Sequence, residues 1–114
     1  MKKWLNYEFE SSCYETKEFS SFARALKKSI QKQLSEKLEI VSWNVGHFYV
    51  SGFVKNKETD KYSYFSIADV RDSGNKWYTN VLYRTAKNSK DYTGGNNRYS
   101  TLVDLNQNLM SITL

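Results

Sequence analysis

Residues 19–34 read FSSFARALKKSIQKQL, and their apolar side chains return at intervals of three and four positions. That interval is the period of an amphipathic α-helix that buries one stripe against a core. Just upstream, Thr16 and the capping-box pair of Ser12 and Glu15 are suitable N-caps. The sequence therefore predicts one long helix, and its buried stripe consists of Phe19, Phe22, Ala23, Leu26, Ile30 and Leu34.

The face of this helix away from the stripe carries positive charge. At about 100° per residue, four basic side chains cluster there without an interleaved acid, with Lys27 and Gln31 beside them. Such a row is suited to lie along phosphates, although a surface helix without a partner also exposes its charges to water. The candidate binding residues of the helix are Lys17, Arg24, Lys28 and Lys32.

After the helix the composition shifts toward strand-forming residues. Residues 40–54 are rich in branched and aromatic side chains, and Gly46 and Gly52 are expected at bulges or points of close approach. Polar turns at 55–61 and 71–76 follow, and such short loops connect antiparallel strands. The predicted strands cover residues 40–54, 62–70 and 77–86, with a further candidate at 5–9, where Leu5, Tyr7 and Phe9 alternate with polar residues.

Residues 87–98 are mostly polar and turn-forming around a single aromatic residue, Tyr92. A loop of this length in a compact domain is commonly functional or disordered. Beyond it, apolar residues at 102, 105, 109 and 112 return at helical spacing, and Thr101 is a candidate N-cap. We expect a short C-terminal helix there, with a last strand over residues 110–114 as the alternative.

These elements predict an α+β fold in the order (β)-α-β-β-β-α, in a single domain over residues 1–114. The expected sheet is antiparallel and three- to four-stranded, and the long amphipathic helix and the short C-terminal helix cover one of its faces. The second face either stays open or is covered by a twin subunit. A homodimer is therefore one alternative, since twofold dimers are the commonest oligomers.

The chain offers few groups for catalysis. Cys13 is the only thiol and His47 the only histidine, and nothing in their spacing brings them together as a nucleophilic pair. The ligand spacings of a zinc site are absent, and Asp69 and Asp72 show no convergence on a nuclease metal. We expect no catalytic residue, no metal and no cofactor, and hence a function in binding.

Net charge and hydropathy narrow the class of partner. The 17 Lys and Arg residues against 12 Asp and Glu give a formal net charge of +5, which favours polyanionic partners, although a basic balance also simply aids solubility. No run of residues approaches the roughly 20 apolar positions needed to span a bilayer, and residues 1–8 lack the apolar core of a signal peptide. We expect a cytoplasmic protein without membrane contact.

Aromatic residues make up 16% of the chain, and many lie beside basic residues in its second half. Rings that stack on bases and cations that pair with phosphates are the chemistry of single-strand binding. The same residue types form hot spots of protein interfaces, whereas most sheet aromatics are core residues or cross-strand partners. The further candidate binding residues are Arg84, Lys87, Lys90, Tyr92 and Arg98.

The predicted α-β-β-β-α order is similar to that of double-stranded-RNA-binding domains. That family begins its second helix with a basic, Lys-rich segment, whereas residues 100–104 read STLVD and contain no base. The resemblance therefore does not extend to that family's contact with duplex RNA.

A second resemblance covers most of residues 40–105. The segments WNVG (43–46), YFSIADVR (64–71), RTAK (84–87) and DYTGG (91–95) resemble small proteins of Gram-positive plasmids, conjugative elements and phages. Some small proteins of those elements are anti-CRISPR inhibitors of type II-A Cas9. The resemblance implies a mobile-element origin, and it assigns no functional residues.

The sequence favours a small non-enzymatic binding protein of a mobile element, most concretely an anti-CRISPR that binds Cas9 or its guide-RNA/DNA complex. The first alternative is a stand-alone accessory factor of a plasmid or phage that binds single-stranded DNA or RNA. The second is a protein–protein interaction module that contacts no nucleic acid.

Overall fold

The computed structural model describes residues 16–46, 49–67, 77–93 and 95–114. The predicted strand at 5–9 lies outside these residues, as do Cys13, His47, Asp69 and Asp72. In chain order the described elements are α1 (Thr16–Gln33), β1 (Leu38–Val45), β2 (Val50–Asn56), β3 (Tyr62–Ile67), a 3₁₀ turn (Trp77–Thr79), β4 (Val81–Ala86), β5 (Arg98–Ser100) and α2 (Leu105–Ile112).

Helix α1 confirms the long amphipathic helix. Its stripe is buried from Phe22 to Leu34, with Leu26 and Ile30 each only 1% exposed. The stripe packs into one apolar cluster with the sheet and with Leu105 and Leu109 of α2. No helix in the described part of the chain is long and apolar enough to cross a membrane.

The sheet is antiparallel, as predicted, but the described residues give it five strands, in the order β1-β2-β3-β4-β5. One difference arises because β1 ends at Val45 and β2 begins at Val50, where a single strand was predicted over residues 40–54. Next to these strand ends, the Gly46 N–H donates to the Tyr49 carbonyl at 2.9 Å. A Cβ on Gly46 would lie 1.8 Å from a carbon of the Tyr49 ring. The close approach expected at Gly46 is therefore confirmed, but the sequence analysis did not predict that a strand ends there.

The second predicted close approach, at Gly52, lies inside β2. Gly52 is paired with Phe65 of β3, and a Cβ there would meet that ring at 2.9 Å and the Ser42 carbonyl oxygen at 3.1 Å. The missing side chain makes room for a large ring in the core. The irregularity of the β1–β2 ladder lies elsewhere, between Ile40 and Ser42.

The C-terminal half departs from the prediction in two places. The third strand begins at Val81 rather than at 77, because residues 77–79 form the 3₁₀ turn. Residues 98–100, expected at the end of a loop, pair with β4 as the short strand β5. The C-terminal helix is confirmed as α2, but its N-cap is Asp104 and not Thr101 as predicted. The Thr101 hydroxyl instead accepts a hydrogen bond from the Asp104 N–H at 3.1 Å in the turn that leads into the helix.

The two faces of the sheet have different roles. Successive side chains of a strand point to opposite faces, and Val54 and Phe65 lie in the cluster that contains both helices. Phe53 and Tyr64 alternate with them and are paired across β2 and β3, so they lie on the face away from the helices. We call this the outer face.

Gln31 of α1 joins the helix to the edge strand β1. Its side-chain amide donates to the Leu38 carbonyl at 3.1 Å, and its carbonyl oxygen accepts the Ile40 N–H at 2.9 Å. Both backbone groups point away from β2 at the sheet edge, so the glutamine takes the place of a neighbouring strand. Unpaired edge groups invite association with other chains, and this contact satisfies two of them.

We expect Gln31→Ala to lower the free energy of unfolding by about 1–3 kcal/mol, because two partly buried backbone groups lose their partner. Urea denaturation measures the change. Lys27→Ala is the matched control, since it makes the same gain in helix propensity at an exposed position of α1. Equal stability of the two variants would contradict a structural role for Gln31.

Candidate binding surfaces

The first candidate surface is a groove along α1, which we call the basic groove. It has a volume of about 510 Å³. Arg24, Lys28 and Lys32, three of the four predicted helix residues, line it, and the fourth, Lys17, lies in the first turn of α1. Among the described residues the groove is lined by Arg24, Lys27, Lys28, Gln31 and Lys32.

The arrangement of these residues follows from the helix itself. Positions 24, 28 and 32 are successive members of an i, i+4 row, and 27 and 31 form the neighbouring row. The four basic side chains are exposed, because the buried stripe fixes which side of α1 faces the sheet. Sequence reasoning noted Lys27 and Gln31 only as neighbours of the row, although the i+3 spacing from Arg24 places Lys27 on the same face.

Two hydrogen bonds order parts of the groove. The Arg24 guanidinium donates to the Ser21 hydroxyl at 3.2 Å. Gln31 is bonded to β1 at both ends of its amide, so its position in the lining, beside the exposed lysines, is fixed by the sheet. No acidic residue occurs from 19 to 35. The surface therefore combines four like charges, and what it can do chemically is hold anions.

The second candidate surface surrounds Arg84. The sequence predicted that this residue contacts a partner, but the structure buries it. Arg84 is only 4% exposed. Its guanidinium donates to the Thr85 carbonyl at 3.1 Å and to the Asp91 carbonyl at 2.7 Å, and it lies 4.4 Å from the ring centroid of Tyr64. Arg84 thus fixes the loop after β4 to the outer face, and its charge is directed inward.

The carboxylate of Asp91 also stabilises the loop after β4. Its carboxylate accepts hydrogen bonds from the Thr93 hydroxyl, from the Lys87 N–H at 2.9 Å and from the Thr93 N–H at 3.2 Å. The bond from the Thr93 side chain, the two backbone bonds and the nearby Arg84 charge together lower the pKa of Asp91 to about 2, against the opposing effect of burial. Sequence reasoning missed this role, for which the only signal was an Asp two residues before a Thr.

Tyr92 was predicted to stand alone in a polar loop, yet its ring packs on the outer face. The ring centroid lies 5.0 Å from that of Phe53 and 6.1 Å from that of Tyr64, both in edge-on geometry. Its hydroxyl accepts a hydrogen bond from the Asn44 side chain at 2.6 Å. The ring is nevertheless 58% exposed, while Phe53 beneath it is fully buried. Tyr92 is therefore both a cover for the outer face and a surface aromatic residue.

The structure does not bring the predicted binding residues together into one surface. The basic groove lies on α1, which packs against the helix-side face of the sheet. Arg84 and Tyr92 lie on the outer face. Lys87, Lys90 and Arg98 are exposed, but the sheet separates the loop that carries the first two from the groove.

Within the described residues, no group of three His, Cys, Asp or Glu side chains is placed to hold a metal ion. No protein-family model, curated protein or solved structure matches this chain.

The low pKa of Asp91 predicts an acid-sensitive loop. The folded pKa of about 2 lies below the ordinary value of 3.8, so the ionised carboxylate stabilises the fold above about pH 4, and that contribution is lost as the pH falls toward 2. We expect Asp91→Asn to melt at a lower temperature than the parent at pH 7 and the gap to shrink as the pH falls from about 4 through 2. Thermal denaturation across this range measures it. A gap that is constant with pH would contradict the assignment.

Two substitutions at Tyr92 separate packing from hydrogen bonding. Tyr92→Phe removes only the hydroxyl bonded to Asn44, so we expect a loss of about 0.5–1.5 kcal/mol in the free energy of unfolding. Tyr92→Ala also uncovers Phe53, and we expect a clearly larger loss. Chemical denaturation gives both values, and equal losses would mean that the ring does not cover the outer face.

Proposed function

We propose that this chain is a non-enzymatic binding protein that engages a polyanionic partner through the basic groove. In its most concrete form the proposal is an anti-CRISPR protein of a mobile genetic element, which inhibits Cas9 by binding the enzyme or its guide-RNA/DNA complex. The observation that carries the proposal is the groove itself, whose described lining includes four exposed cations of α1.

Electrostatics support a charged partner. Like charges that share one face of a helix repel one another, so a row of this kind stabilises the chain little on its own. A field of one sign also raises the rate of encounter with an oppositely charged partner. A guide-loaded nuclease presents many phosphates on a large surface. Its negative charge would relieve the repulsion within the basic row and would be attracted by the positive field of the groove.

The resemblance of residues 40–105 to small proteins of Gram-positive plasmids, conjugative elements and phages supports the identity of the partner. Type II-A Cas9 is the target of some such proteins. The candidate residues of this proposal are those of the groove together with Lys17 in the first turn of α1.

The test is a titration of guide-loaded Cas9 with the purified chain, read as binding and as inhibition of DNA cleavage. We expect Arg24→Glu/Lys28→Glu to weaken binding on the order of 10- to 100-fold, since each change places an acid against phosphate. The control is Lys57→Glu/Lys61→Glu, which removes the same charge from the exposed β2–β3 hairpin. Undiminished inhibition by the groove variant would refute the proposal.

A second candidate function has its own observation. Tyr92 and Tyr99 expose 58% and 62% of their surface, and Lys87, Lys90 and Arg98 lie close to them in sequence. Exposed rings beside cations support a stand-alone factor that binds single-stranded DNA or RNA by stacking. This candidate predicts that Tyr92→Ala weakens binding of a free oligonucleotide, whereas a pure protein-interaction module would bind no oligonucleotide at all.

A further inference from the structure

We infer that the basic groove holds the sugar-phosphate backbone of a nucleic acid and reads no base sequence. This inference rests on the proposed function and deepens it, because it assigns the groove to the nucleic-acid component of the partner rather than to an acidic protein surface.

The kind of cation in the groove favours phosphate over protein. Three of the four charges belong to Lys27, Lys28 and Lys32, and only Arg24 carries a planar guanidinium. Lysine is depleted in the buried parts of protein interfaces, where aromatic residues and arginine are enriched. An ammonium on a flexible stem is a point charge that follows a phosphate without demanding one geometry.

The absence of acids in this part of α1 strengthens the argument. Protein surfaces carry both signs of charge, and an interface with them normally pairs charges in both directions. From residue 19 to residue 35 the chain supplies no carboxylate. The described lining of the groove therefore presents positive charge only, which complements a ligand such as a phosphodiester backbone.

The described lining of the groove also lacks the means to read bases. Gln31 is the only amide among its described lining residues, and amides of this type recognise adenine edges. Both ends of the Gln31 amide are already bonded to β1. The described lining contains no aromatic residue on which a base could stack. What remains is contact with the backbone, which carries no sequence information.

The length of the groove sets the number of phosphates. Arg24 and Lys32 are eight residues apart, which is about 12 Å along a helix axis. Successive phosphates of one B-form strand advance by about 3.4 Å, so the groove faces three to four of them. If four cations neutralise about four phosphates, the binding constant must fall with salt concentration at a defined slope.

The experiment is a fluorescence-anisotropy titration of free nucleic acids with the full chain over a series of salt concentrations. We expect the slope of log K against log salt to be about −3.6 on duplex DNA and about −2.8 on single strands, as four neutralised phosphates require. Oligo-dA, oligo-dT and mixed sequences of one length should bind within about threefold of each other, since only their shared backbone is held.

The decisive variant is Lys28→Gln/Lys32→Gln, which preserves helix propensity. It should make the slope shallower by about 1.4–1.8, the contribution of two phosphates. Lys57→Gln/Lys61→Gln in the β2–β3 hairpin should leave the slope unchanged. Tyr92→Ala should also leave it unchanged, because that ring lies on the outer face.

Three results would overturn the inference: a slope that the groove variant does not alter, an affinity that differs tenfold or more between base sequences, or competition by polyglutamate as effective as that by nucleic acid of equal charge. The last would assign the groove to an acidic protein. Failure of the proposed function is distinguishable. Binding of the sugar-phosphate backbone with the expected slopes, but without binding to guide-loaded Cas9, would refute the inhibitor proposal and would not contradict the inference.

Discussion

The packing of the apolar stripe of α1 against the helix-side face of the sheet fixes the orientation of everything else. Phe22, Leu26 and Ile30 enter the same cluster as Val54 and Phe65, and burial of such side chains contributes about 1.5–3 kcal/mol each. Because a helix has one buried side, this packing directs the basic residues outward together. Gln31 then ties the exposed flank to the edge strand, so the groove is a consequence of the core.

On the outer face of the sheet, the loop after β4 provides the cover. Phe53 is fully buried although it lies outside the cluster that contains both helices, because the loop after β4 folds back and places Tyr92 over it. Arg84 and Asp91 hold that loop by hydrogen bonds to backbone groups. Arg84, which was predicted to bind a partner, and Asp91, for which no role was predicted, thus stabilise the loop. The chain presents two separate surfaces with a sheet between them.

A structural element could be predicted from the sequence where residues close together in the chain determine it. The long helix and its basic row follow from spacing within 16 residues, so both were predictable. The turn between β1 and β2 was missed because strand-forming residues continue through it and Gly46 alone marks it. The packing of Tyr92 on Phe53 joins positions 39 apart in the chain, and the pairing of β5 with β4 depends on where the intervening loop returns. No local pattern encodes such contacts.

The account depends on α1 being the surface that meets the partner. Amide chemical shifts of the labelled chain, followed by NMR as a single-stranded oligonucleotide is added at low salt, test this most directly. The account predicts shifts concentrated at residues 24–32, with residues 87–93 unchanged because the sheet separates them from the ligand. Shifts concentrated around Tyr92 with α1 unaffected would contradict it and move the binding site to the outer face.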